Sequence, residues 1–237
     1  MGPHVAVPEH NQFQRVALIL AGAGESRRMS GTDKIFAPLG GFPLIYWPLQ
    51  AAQNCGLLHS VAILLSPGNV ERGRALVQQH KLSKVIEVCA GGARRQDSVR
   101  IGLSRLAGHD WLIVHDAARP FLDQYLIGDG LKAAADTGSA LAAVPVKDTI
   151  KIAGDDLRVT GTPDRSTLWA AQTPQVFRFD IIARAYELEG DATDDASLVE
   201  RLGFRVKLYQ GSYDNIKVTT PEDLSLAEII LKRRQCA

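Results

Sequence analysis

Short apolar runs alternating with longer amphipathic stretches constrain this chain most. The runs cover residues 16–21, 61–65, 85–88, 111–114 and 140–146, and each is nearly continuous in Val, Ile, Leu and Ala. A strand with one wet face alternates polar and apolar residues. These do not, so both of their faces are expected to be covered, as in a parallel sheet between helices. Helical periodicity predicts helices near 45–54, 70–79, 95–106 and 124–135. Repeated strand and helix predict an α/β fold, with a Rossmann-like, mostly parallel sheet layered between helices.

The pattern changes after residue 146. Residues 148–152 and 157–161 alternate around Gly154-Asp155-Asp156, which predicts a protruding β-hairpin arm over about residues 147–165. Helices are expected near 178–188 and 196–202, with extended segments at 206–210 and 215–218. Pro221, with Thr219 or Thr220 as a cap before it, predicts a last helix. No repeat or linker interrupts residues 15–237. They read as one domain after a flexible tail of residues 1–14.

The formal net charge of the 237 residues is +1, so a broad nucleic-acid or membrane surface is not expected. An anionic ligand would need local cations. Cys55, Cys89 and Cys236 show neither metal spacing nor a disulfide framework. No apolar run approaches the ~20 residues that span a bilayer. The first residues lack a basic region followed by an apolar stretch, so a cytoplasmic location is expected.

Run 16–21 leads into Gly22-Ala23-Gly24-Glu25-Ser26-Arg27-Arg28-Met29. Ligands of open α/β sheets bind beyond the carboxyl ends of strands, and small residues let backbone N–H groups approach phosphate closely. The loop is neither a Walker loop nor a dinucleotide fingerprint. A ligand-free tight turn is the alternative. Lys34 precedes the apolar Ile35-Phe36-Ala37, so it is expected to be fixed and directed, where a cation could stabilise phosphoryl transfer.

Gly91-Gly92 follows another run, with Ser98 near the next helix start. Asp116 follows the run 111–114 and could hold Mg²⁺ with phosphate oxygens or cap a helix. Arg119 could bind phosphate or brace its turn. His115 is given no role. Thr193 could cap a helix, with Asp194 and Asp195 in its first turn. Lys217 lies between Ile216 and Val218 in an expected strand. Arg165, beyond the arm, suits bidentate phosphate binding, although a solvated basic arm is the alternative. Trp169 and Phe177 are expected in the core.

Seven blocks in this order resemble the 2-C-methyl-D-erythritol 4-phosphate cytidylyltransferase family, over about residues 15–234. They are Gly22–Met29 with Lys34, Gly91-Gly92-Ala93-Arg94-Arg95-Gln96-Asp97-Ser98-Val99, and Val114-His115-Asp116-Ala117-Ala118-Arg119-Pro120. Pro145-Val146-Lys147-Asp148-Thr149-Ile150-Lys151, Gln172-Thr173-Pro174-Gln175-Val176-Phe177, Thr193-Asp194-Asp195-Ala196-Ser197 and Asp214-Asn215-Ile216-Lys217-Val218-Thr219 complete the series.

The resemblance implies a nucleotide-diphospho-sugar transferase type of fold and transfer of CMP from CTP to methylerythritol phosphate in isoprenoid precursor synthesis. It implies nucleotide contacts from Gly22, Ala23, Gly24, Ser26, Gly91, Gly92 and Ser98, and transition-state contacts from Arg28 and Lys34. It gives Mg²⁺, or another divalent cation, to Asp116, and the second substrate to Thr149, Arg165, Thr193 and Lys217; the site is also the preferred reading of Arg119. It also implies a homodimer in which the arm reaches a partner subunit. Ala93 stands where many relatives carry aspartate, so that carboxylate's contact with the nucleotide is absent. Ribitol-5-phosphate cytidylyltransferase is the nearest rival. Sugar-1-phosphate nucleotidyltransferase and a non-catalytic nucleotide-binding domain are further alternatives.

Overall fold

The computed structural model describes residues 14–24 and 33–236. Its main sheet has seven strands in the order β11-β7-β10-β6-β1-β4-β5. In chain order the strands are β1 (Val16–Gly22), a small hairpin β2 (Pro38–Leu39) and β3 (Phe42–Pro43), β4 (Ser60–Leu65), β5 (Val85–Ala90), β6 (Trp111–Asp116), β7 (Ser139–Pro145), β8 (Ile152–Ala153), β9 (Val159–Gly161), β10 (Trp169–Arg178) and β11 (Lys207–Gln210). The helices are α1 (Tyr46–Asn54), α2 (Val70–Gln79), α3 (Arg95–Arg105), α4 (Gln124–Thr137), α5 (Phe179–Ala185), α6 (Asp195–Arg201) and α7 (Pro221–Gln235).

β1 runs parallel to both neighbours, with Ala21 opposite Leu64 of β4 and Asp116 of β6. This register aligns the carboxyl ends of the central strands along one edge. Side chains alternate across the pleat, as they must. Val16, Leu18 and Leu20 join a core shared with α1, α2 and α4. Ala17 and Ile19 join the opposite core, shared with α3, α5 and α6. Both faces are therefore dry, which is why β1 needs apolar residues at successive positions. A third cluster packs Leu39, Leu44, Phe121 and Val218 under α7.

Several sequence expectations shift. The apolar pattern does not announce β10, because Gln172, Thr173 and Pro174 interrupt it. This strand is antiparallel to β6 and β7, whereas the other main-sheet pairings are parallel. Its register slips between Ala171 and Gln175, so residues 172–174 bulge out beside the end of β6. The arm is exposed along residues 147–160, but its ladder is only β8 with β9, shorter than expected. Residues 215–218 form no strand. Phe177 is fully buried as expected, but Trp169 is 40% exposed, because it opens β10 at the base of the arm.

Sequence punctuation explains the helix ends. Thr220 caps α7 with Pro221 at its first turn, and Asp223 returns the bond to complete a capping box. Asp194, rather than Thr193, caps α6 by accepting the Ser197 N–H at 2.9 Å. Gly138 ends α4 at φ 78°, and its N–H donates to the Ala134 carbonyl at 2.7 Å. A Cβ there would lie 2.4 Å from Ile181 Cδ1. Gly138→Ala is expected to lower unfolding free energy by at least ~1–2 kcal/mol, from left-handed strain with the Ile181 contact added. Urea unfolding of both proteins measures it.

Candidate active site

Two clefts meet at the carboxyl edge of the sheet. The first is bordered by Gly22, Ala23, Gly24, Lys34 and Ser98. The second is bordered by Arg119, Gln172, Thr173 and Thr193. Arg95, Asp116 and Lys217 line both. Ser26 and Arg28 lie outside the described residues.

Local chemistry fixes each group. Asp33 caps a 3-10 turn over Lys34–Phe36, accepting the Ile35 N–H at 3.3 Å, and Asn69 donates to the same carboxylate. Ile35 and Phe36 are buried, so the lysine's backbone is anchored on the apolar side. Across the first cleft, Gly91 packs so closely that a Cβ would sit 2.4 Å from Ala23 Cβ and 2.5 Å from Ser98 Oγ. Ser98 is buried. It accepts the Gly92 N–H at 3.1 Å and donates to the Arg94 carbonyl at 3.2 Å. It therefore shapes the Gly91-Gly92 turn while lining the cleft.

Asp116 ends β6 with its carboxylate largely buried among cations. Arg95 Nε donates to Oδ1 at 3.1 Å, and Lys217 Nζ lies 2.7 Å from Oδ2. Arg119 Nε stands 3.9 Å from Oδ2 and has no hydrogen-bond partner among the described residues. Desolvation alone would raise the Asp116 pKa. Arg95 and Lys217 outweigh it and hold the carboxyl well below the usual range.

The bulge of β10 supplies the frame. Thr173 Oγ1 accepts the Asp116 N–H at 3.0 Å and contacts His115 Nδ1 at 3.1 Å, while His115 Nε2 contacts the Arg119 carbonyl at 3.0 Å. One tautomer satisfies this chain: Nε2–H donates to Arg119 and Nδ1 accepts from the Thr173 hydroxyl. Asn215, fully buried, donates to the Thr173 carbonyl at 2.8 Å and the Gln172 Oε1 at 3.3 Å. Arg119 Nη1 donates to the Asn215 carbonyl at 2.6 Å, and Val218 N–H to the Ala118 carbonyl at 2.8 Å. These bonds, not a strand ladder, carry Lys217 to Asp116. Arg119 thus both braces this segment and lines the second cleft.

Thr149 and Arg165 do not reach these clefts. Both are exposed on the arm segment, and Arg165 Nη1 donates to the Lys147 carbonyl at 2.7 Å. Ala93 is exposed at the start of α3. Sequence reasoning gives no role in the site to Arg95, Thr173, Asn215, Tyr186 or Asp195. Arg95 carries a signal nonetheless: a cation in the first turn of a helix opposes the helix dipole, so it calls for an acidic partner elsewhere.

Burial drives the His115 pKa down to about 4. The unfolded chain should protonate this imidazole near ~6.5, while the folded protein holds it neutral. Falling pH therefore favours the unfolded state across that window. Without ligands, His115 is expected to cost about 2 kcal/mol of stability between pH 7 and pH 5. Denaturant unfolding at both values, repeated on His115→Gln, should show the variant lacking that part of the slope. An equal slope in both proteins would refute it.

A family model described as 2-C-methyl-D-erythritol 4-phosphate cytidylyltransferase matches residues 16–233. A Dehalococcoides mccartyi protein of that name is 48% identical over 221 residues, 93% of this chain and 97% of the relative. One from Symbiobacterium thermophilum is 45% identical over 229 residues, 93% of this chain and 95% of the relative. Among solved structures, 4-diphosphocytidyl-2C-methyl-D-erythritol synthase from Anaerococcus prevotii superposes with TM-score 0.82 at 27% identity, over 92% of this chain and 99% of that one. The cytidylyltransferase from Thermus thermophilus gives 0.73 at 30% identity, over 93% and 99%. The chain belongs to the 2-C-methyl-D-erythritol 4-phosphate cytidylyltransferase family.

Proposed function

We infer that this chain transfers CMP from CTP to 2-C-methyl-D-erythritol 4-phosphate, releasing pyrophosphate, in isoprenoid precursor synthesis. The observation that carries the site reading is the junction of two clefts at Asp116, Arg95 and Lys217. In-line attack needs an acceptor phosphate and a nucleotide α-phosphate brought face to face. A phosphate oxygen of the acceptor forms a bond to the α-phosphorus as the bond to the pyrophosphate oxygen breaks. The nucleophile is already anionic, so positioning and charge neutralisation dominate over general base catalysis.

The first cleft would take the CTP, with the backbone of Gly22, Ala23, Gly24, Gly91 and Gly92 and the Ser98 hydroxyl around it. Ser26 would add a loop contact. Lys34, with Arg28, would stabilise charge on the α-phosphate and the leaving pyrophosphate. The second cleft would take methylerythritol phosphate, with Lys217, Arg119 and Thr193 nearby. Asp116 offers a hard oxygen ligand, and the described residues contain no group of three metal-ligating side chains. Asp116 would hold a Mg²⁺-class cation together with phosphate oxygens of the nucleotide. Such a cation would neutralise phosphate charge when bound.

Thr149 and Arg165 would serve a partner's second cleft across a homodimer. Ile152, Leu157 and Val159 on the arm are 55, 86 and 60% exposed, an apolar surface suited to a second copy. No helix among the described residues is long and apolar enough to cross a membrane, and a cytoplasmic enzyme is the location we infer.

Pyrophosphate release with CTP and Mg²⁺ should require methylerythritol phosphate, and equal turnover of ribitol 5-phosphate would defeat the substrate assignment. Lys34→Ala should remain folded and lose ~3–4 kcal/mol of transition-state stabilisation in kcat; full activity would remove Lys34 from the mechanism. Shared sites make a separate prediction. Mixing inactive Lys34→Ala and Arg165→Ala subunits under exchange should restore about a quarter of parental activity, since each heterodimer regains one intact site. No recovery would confine Arg165 to its own subunit.

A further inference from the structure

Arg95 opens α3 where the dipole disfavours a cation, yet its guanidinium is held on two sides. Nε faces Asp116 at 3.1 Å, and Nη2 donates to Asp195 Oδ2 at 2.7 Å. Asp195 is fully buried, so neither solvent nor substrate reaches it. Its other oxygen accepts the Tyr186 hydroxyl. Both carboxylate oxygens of Asp195 are thus committed, one to Arg95 and one to Tyr186 behind the clefts. The neighbouring Arg94 is engaged elsewhere, exposed and paired with Asp97 and Asp191 around the helix start.

We propose that Arg95 is a positioning residue for cytidylyl transfer, locked from behind by Asp195 and Tyr186 so that it fixes the Asp116 carboxylate between the two substrates. The inference rests on the reading of Asp116 as the junction of the two clefts. A structural ion pair alone would not need to border both clefts, as Arg95 does. The planar fork of arginine reaches two carboxylates at fixed angles, whereas a lysine ammonium is a single point charge on a flexible stem. Lysine at this position would keep the charge and lose the alignment. Tyr186 lies outside the clefts, buried against the Val99 and Ile182 core, so its hydroxyl can affect the reaction only through Asp195 and Arg95.

The test is a set of steady-state measurements on Arg95→Lys, Tyr186→Phe and their double variant, varying each substrate in turn. Misplacement of reacting groups by about 1 Å costs on the order of a hundredfold in rate. Arg95→Lys is therefore expected to cut kcat at least about tenfold, with the CTP dissociation constant, measured without acceptor, changed by less than about threefold. Tyr186→Phe keeps the ring packing and is expected to cut kcat by about threefold or more, with no further fall when added to Arg95→Lys. Losses that multiply in the double variant would mean that Tyr186 acts independently of Arg95, and the inference fails. It also fails if Arg95→Lys turns over like the parent while Asp116→Asn does not. A fully active Asp116→Asn would instead overturn the junction reading on which the inference stands.

Discussion

A buried carboxylate surrounded by cations is the constraint on which this site depends. Asp116 is taken out of water by the sheet edge, and removing one partner from such a buried pair typically costs ~3–5 kcal/mol. The chain meets that demand from three directions. Arg95 comes from the start of α3, Arg119 from the loop after β6, and Lys217 from the segment before α7. Each approach requires a different part of the fold to be in register. The requirement therefore links the central sheet, the β10 bulge and the C-terminal helix to one oxygen pair.

The bulge is the least obvious of these parts. A regular antiparallel β10 would continue its ladder past residues 172–174 and hold Gln172 and Thr173 in the sheet. The slipped register releases them. Thr173 can then take the Asp116 N–H, and Gln172 can meet Asn215 and Ser212. Bulges next to functional sites commonly re-aim side chains in this way. Here the re-aimed groups are neutral. They fix geometry without adding charge, leaving the electrostatics to Asp116 and its cations.

Much of this is legible in the sequence, for a physical reason. Strands buried on both faces must be apolar at successive positions, so β1, β4 and β6 announce themselves, and the glycines after β1 and β5 mark the edge where ligands approach. The blocks holding Lys34, Asp116 and Lys217 are also visible. What sequence does not show is pairing across space. Asp195 reads as an ordinary first-turn acid, and only the fold reveals that it is fully buried against Arg95 and Tyr186. Lys217 looks like a strand residue because Ile216 and Val218 flank it. Val218 does enter a core, but side-chain bonds from Asn215 hold the segment where a ladder would otherwise be needed.

The charge balance at the junction suits the entry of a phosphate into a site already full of ion pairs. Arg95, Arg119 and Lys217 face Asp116 and Asp195, so three cations meet two carboxylates and leave one net positive charge. In the proposed reaction, an incoming phosphate would draw Lys217 away without stranding Asp116, because Arg95 still bonds one of its oxygens. Arg119 Nε, buried and unpartnered 3.9 Å away, can approach the oxygen that Lys217 leaves. Exchange of one partner is much cheaper than exposure of an uncompensated charge. The lysine is 40% exposed and, among the described residues, holds Asp116 alone, whereas the arginine is also anchored to the buried Asp195, so the lysine is the partner that exchange would take.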